Sequence, residues 1–245
     1  MYCSVKIFSI IFLLIFLPFL LNALEFKPIE KKIDELSLSG NIEQMKNLEA
    51  NLSSLIIKEP TNYMGNFLLG KLYFLMAEYF ELKSENGKGK NWDLSENYTD
   101  KSLIAFDNSI KENEKYFDSH FYKALALVNK IRHLSIWNLA KIISAGKENS
   151  KEKEAMLALD KNNPKRFLAE GISKLFMPVF RGGGPEKAIP LMEKAIKTNP
   201  QYDEAYYWLA RAYNMKKDLQ KAREFSQKAV ELSPNNNKYK LFLSK

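Results

Sequence analysis

Pro200 and Pro234 stand 34 residues apart, and the stretch between them reads as two helices. The first runs from Asp203 to Tyr213 and the second from Leu219 to Leu232, ending at Ser233-Pro234. Small residues Ala210, Ala222 and Ala229 recur where two helices must approach closely, while Tyr206, Leu209, Tyr213 and Phe225 fill the spaces between them. A period of this length marks a chain that buries its core by stacking one helical pair on the next. Gly and Pro number only 10 and 9 in 245 residues, which argues against turn-dense sandwiches and barrels.

This pattern resembles the tetratricopeptide repeat, a helix–turn–helix unit of 34 residues. Tyr206 takes the family's Trp position and Leu209-Ala210 its Leu-Gly pair, while Tyr213, Ala222, Ala229 and Pro234 match directly. Ser226 falls where the family prefers a large apolar residue. Counting back one period puts Ala188, Met192 and Ala195 on the second helix of a preceding unit, Glu186 to Thr198. Its first helix, about Lys165 to Phe180, is expected to be irregular, with extra residues near Gly182-Gly183-Gly184.

Pro60 anchors another unit. Leu69, Gly70 and Tyr73 follow it at the family's Leu-Gly…Tyr spacing, so Asn62 to Leu82 reads as a first helix and Asp100 to Asn113 as its partner. The polar residues 83–99 between them read as an inserted loop. A helix starting near Asp118 is expected to run on towards Ile143 and to pair with a shorter one, Ser150 to Leu159. Ile29 to Leu38 and Ile42 to Ile57 form a hairpin around Ser39-Gly40-Asn41. Three regular units between Pro60 and Pro164 would put charged Asp107 and Lys141 in the core, so two units with insertions are preferred. The expected fold is all-α: an α-solenoid of about five such hairpins over residues 24–245, capped by Lys238 to Leu243. The best repeats span 62–113, 166–202 and 203–236.

The resemblance implies a concave groove lined by first helices. The residues it assigns there are Phe67, Lys71 and Phe74, then Tyr122 and Asn129, and finally Tyr207, Arg211 and Asn214. For Phe67, Phe74 and Leu75 the alternative is ordinary core beneath the inserted loop. A mixed aromatic and cationic groove suits an extended or helical peptide of some acidic character.

The N-terminus stands apart. Ile7 to Leu21 is an uncharged run broken only by Ser9 and Pro18, preceded by Lys6 and followed by Asn22-Ala23. Fifteen residues match a signal-peptide core and fall short of the roughly 20 that span a bilayer. The expectation is a signal peptide, residues 1–23, cut after Ala23. An uncleaved anchor is the alternative, and only in that case would the chain touch a membrane. The single cysteine, Cys3, precedes the run, so it is not the acylated residue of a lipoprotein.

Chemistry-bearing constellations are sparse. Gly182-Gly183-Gly184-Pro185 lacks the spacing of a phosphate loop and reads as a turn. His120 and His133 lie 13 residues apart with no carboxylate pattern beside them, and they read as packing or surface residues. Acids between Lys83 and Asp100 do not match a calcium loop, although Trp92 could staple a partner-contacting loop there. The net charge of +8 is spread along helices in alternation with acids, so nucleic acid is not expected. No catalytic site and no cofactor is expected. The resulting expectation is an exported, periplasmic or envelope adaptor that binds a protein or peptide partner in its groove. The alternative is an envelope small-molecule or lipid-binding helper attached to a transporter.

Overall fold

In the computed structural model, residues 26–85 and 87–244 are described. The signal-peptide reading, Cys3 and the cleavage point at Ala23 lie outside them. Residues 26–39 are helical (α1), followed by α2 (Ile42–Lys58), α3 (Tyr63–Leu82), α4 (Lys90–Glu112), α5 (Phe117–His133) and α6 (Leu139–Leu159). Then come α7 (Pro164–Phe176), a 3-10 turn (Val179–Arg181), α8 (Pro185–Thr198), α9 (Asp203–Met215), α10 (Leu219–Leu232) and α11 (Asn237–Leu243). Helices α1 to α10 pair as five hairpins and α11 closes the end. The described residues are all-helical apart from turns and one isolated bridge.

Local chemistry sets the breaks. Asn41, Asn62, Asn163, Asp218 and Asn236 each turn a side-chain oxygen onto the first free N–H groups of the helix that follows. Where helices touch most closely, the contact residue is small. A Cβ on Gly70 would lie 2.6 Å from Phe106, and one on Gly171 would lie 2.9 Å from the Met192 side chain. In α9/α10 the same closeness comes from fully buried Ala205, Ala210 and Ala229, with Tyr213 stacked on Phe225 at 5.5 Å.

Three expectations need correction. The loop expected over 83–99 shrinks to 83–89, because α4 begins at Lys90, ten residues before Asp100. Its first turns hide their inward face in small hydroxyls: Ser95 and Thr99 are buried, and Tyr98 stacks on Phe80 at 5.6 Å. Hydropathy does not flag such a face. Likewise α5 stops at His133 and α6 starts at Leu139, with no Gly or Pro to announce the turn between them. Finally, Pro164 is not a repeat-ending proline. It is the first residue of α7, where its missing N–H costs nothing. Counted from Lys161 instead, Gly171 falls ten residues on, where Gly70 stands relative to Pro60. α7 is therefore regular, and the extra residues sit in the 177–184 turn.

That turn is closed on itself. The N–H groups of Gly182, Gly183 and Gly184 donate to the carbonyls of Val179, Pro178 and Lys174. A Cβ on Gly183 would overlap the Met177 carbonyl oxygen, so only glycine fits.

The α5/α6 hairpin is held differently. Buried Glu152 on α6 meets His120 Nδ1 at 2.6 Å and Lys123 Nζ at 2.9 Å. Lys123 also reaches Asp107 at 2.5 Å and Glu148 at 2.7 Å. Asn149 Nδ2 donates to the Ala124 carbonyl, and Ser173 of α7 donates to Asn149 Oδ1. His120 thus has a carboxylate partner that linear spacing concealed. His133 packs its ring 4.0 Å from that of Trp92, which lies in α4 and staples the end of α5.

Candidate functional site

The first helices line the inner curve, and α11 folds back across it. Asn237 Nδ2 donates to the Ser39 carbonyl at 2.9 Å, joining the last helix to the first hairpin. Lys238 Nζ lies 3.3 Å from Glu78 of α3. The closure leaves a cavity of about 430 Å³ whose wall includes Lys71, Phe74, Leu75, Tyr122, Glu204 and Tyr239.

Its electrostatics are mostly settled internally. Lys71 pairs with Asp34 at 2.6 Å and Lys238 with Glu78. Burial opposes charge on Lys238, but Glu78 and Glu204 outweigh it and hold the ammonium above the ordinary lysine range. Burial pushes the Glu204 carboxyl up, and Lys238 only partly offsets this. Burial likewise raises the Tyr122 and Tyr239 phenols, which stay neutral and present ring surface. The site therefore presents aromatic walls, the ion pairs Lys71–Asp34 and Lys238–Glu78, and beyond them Lys83, Asp203 and Glu204.

The residues assigned to the groove divide. Lys71, Phe74 and Tyr122 come together in the cavity, with Phe74 edge-on to Tyr122 at 5.7 Å. Asn129, Tyr207 and Arg211 lie instead in a smaller cleft with Glu81 and Arg132. There Tyr207 is covered by α11, stacking on Tyr239 at 5.0 Å beneath Lys238, and Arg211 lies 4.4 Å from the Trp208 ring. Asn214 points to solvent. Phe67 requires correction. It is fully buried against Phe106, Tyr116 and Tyr122, so it is core and not groove. Sequence reasoning missed Asp34, Lys238 and Tyr239. The only signal for the latter two is their place in a short terminal helix, which from sequence reads merely as a cap.

A model of the tetratricopeptide repeat matches residues 179–237, the span from the glycine turn to the start of α11. Residues 179–237 are thus tetratricopeptide repeat in sequence as well as in shape. Among solved structures the chain is similar to TTC0263, a thermophilic tetratricopeptide-repeat protein of Thermus thermophilus. The two are 13% identical with a TM-score of 0.61, over 86% of this chain and 96% of that one, which supports the fold. Residues 41 to the end of MamA from Desulfovibrio magneticus RS-1 are 16% identical over 83% of this chain and 98% of that one, with a TM-score of 0.45. That superposition is too loose to bear on the site. No curated protein matches the chain. The chain thus shares its helical-repeat architecture with TTC0263, while its cavity is read from its own residues.

Proposed function

We propose that the chain is an exported, non-enzymatic adaptor of the cell envelope or periplasm that binds a segment of a protein partner in its concave cavity. The observation that carries the reading is the cavity under α11, open to solvent and lined by repeat first helices. Export rests on the apolar run Ile7 to Leu21 with Lys6 before it and Ala23 after it. The chemistry departs from the acidic peptide expected of the sequence. Lys71 and Lys238 already have carboxylate partners, and acids outnumber cations on the wall, with Asp34, Glu78, Asp203 and Glu204 against Lys71, Lys83 and Lys238, so an apolar or basic segment fits better.

Replacing Leu75 by Trp fills the cavity from its α3 wall. A partner crosslinked to the wild-type chain in envelope preparations should be lost from Leu75→Trp while the helical circular-dichroism signal is kept. Retention of the same partner by a folded Leu75→Trp chain rejects the cavity as its site. N-terminal sequencing of the exported chain should begin near Leu24.

A second reading, small-molecule or lipid binding, is favoured by the cavity volume alone, which falls within the roughly 300–1,000 Å³ of ligand pockets. Native mass spectrometry separates the two, since a co-purifying apolar mass absent from Leu75→Trp supports the ligand.

A further inference from the structure

The hairpin turns fall on one side. Glu81, at the end of α3, is bridged to Arg132, at the end of α5, at 2.5 Å. The Arg132 guanidinium lies 4.5 Å from the ring of Phe176 at the end of α7, and Arg211 of α9 reaches the same ring at 5.8 Å. The C-terminal ends of four first helices are therefore neighbours. The turns that follow them, 83–89, 134–138, 177–184 and 216–218, make up one edge of the solenoid.

Along this edge large apolar side chains stand out in solvent. Trp137 is 89% exposed and Phe180 86%, flanked by Ile136 and Val179 at 77% and 76%. Leu139 and Leu219 continue the row at the starts of α6 and α10. The same turns carry Lys83, Lys88, Arg181, Lys216 and Lys217 against only Glu85 and Asp218. The opposite edge differs. Its turns, 59–62, 113–116, 160–163, 199–202 and 233–236, hold Glu59, Glu114 and Asp160 against Lys115 and Lys161, neither Tyr116 nor Tyr202 is exposed, and the exposed apolar side chains at the adjoining helix ends are aliphatic, Ile57 at 82% and Leu159 at 37%.

A row of aromatic and aliphatic tips that projects outwards, set among cations, fits the headgroup boundary of a bilayer. Indole and phenyl rings settle there, and lysine and arginine meet anionic phosphates. We propose that this edge rests on an anionic lipid bilayer, with Trp137 and Phe180 entering the headgroup boundary and Arg181, Lys216 and Lys217 on its phosphates. The inference is independent of what the concave cavity holds.

The test must be local, because the apolar run 7–21 is able to hold the full chain on vesicles by itself. The Trp137 signal is isolated as the difference between the wild-type fluorescence and that of Trp137→Phe. With vesicles of brominated phosphatidylcholine containing phosphatidylglycerol, bilayer-borne bromine should quench that signal, and aqueous acrylamide should lose access to it. Arg181→Glu/Lys216→Glu/Lys217→Glu should weaken the quenching by roughly tenfold or more, as should replacement of phosphatidylglycerol by phosphatidylcholine. Phe180→Ala should weaken it at unchanged charge. The proposal is overturned if Trp137 stays open to acrylamide and unquenched on anionic vesicles. It is equally overturned if charge reversal leaves the quenching unchanged, or if only an added protein, and no vesicle, shields Trp137.

Discussion

The α9/α10 and α5/α6 hairpins occupy the same place in the repeat architecture and are held together by opposite means. In α9/α10 the helices meet through alanine: Ala205, Ala210 and Ala229 are fully buried, and Tyr213 lies flat on Phe225. In α5/α6 the interface carries Glu152, His120 and Lys123, all nearly inaccessible, and Asn149 reaches across to a backbone carbonyl. Apolar contact tolerates modest misfit and is readable from sequence as small residues at fixed spacing. An ionic interface works only when every member is present, because a buried charge left alone is costly. The difference predicts that the two hairpins fail in different ways.

The largest effect is expected from Lys123→Met. It removes one of the two cations that face Glu152. Asp107 and Glu148 are exposed enough for water to replace what they lose, so the cost falls on Glu152. Urea unfolding should show a loss of about 3 kcal/mol. Adding Glu152→Leu to the same chain should restore most of it, since no buried anion then remains. A single-variant loss below about 1 kcal/mol would make this network equivalent to a surface one and erase the contrast. Ala229→Leu is the matching test in α10, where an added side chain has no room between the helices. It should cost about 2 kcal/mol by overpacking, with no dependence on pH.

These two hairpins also explain what the sequence made legible. The alanines and prolines of 200–234 sit at the positions that set helix spacing, so α9 and α10 were read close to their observed bounds. Pro164 misled because proline serves both as a terminator after a helix and as the first residue of one, and only the cap at Asn163 decides which. The start of α4 was missed because Ser95 and Thr99 are buried as fully as leucines would be. Of the cavity, Lys71, Phe74 and Tyr122 were reachable from repeat register. Lys238 and Tyr239 were not, because the contact that brings α11 to Ser39 joins residues 198 apart in sequence.

A smaller effect separates the two histidines of α5. Burial opposes charging of His120, but the hydrogen bonds to Glu152 and the Glu114 carbonyl prevail and raise it above the ordinary histidine value. Its contribution to stability is therefore complete at acidic pH and is lost as pH rises through that raised value. For His133 burial prevails over the attraction of Glu81 and Glu96, and the ring is held below the ordinary value. Its contribution is present at neutral pH and is lost as pH falls. The two trends oppose each other, so the wild-type chain should change little between about pH 6 and 8. As pH rises across that interval, His120→Gln should gain stability and His133→Gln should lose it, as read from urea midpoints. Parallel slopes in the two variants would remove Glu152 as the partner that sets His120.

The smallest effect is expected where α10 does carry an ion pair. Lys228 and Glu231 stand 3.1 Å apart, one turn from each other, with both side chains about half exposed. The distance is close to that between Lys123 and Glu152, so distance alone would rank the two pairs together. Water separates them. Charges on an open helix face interact through solvent, are screened by salt and lose side-chain freedom on pairing. Glu231→Gln should therefore shift unfolding by less than about 0.5 kcal/mol, and by less still in roughly 0.5 M salt. Lys123→Met should keep most of its cost in that same salt, because the charge it strands is walled off from the ions. If the two variants responded equally to salt, the α5/α6 network would be reached by solvent. Alanine-like apolar packing would then be the only device holding both hairpins.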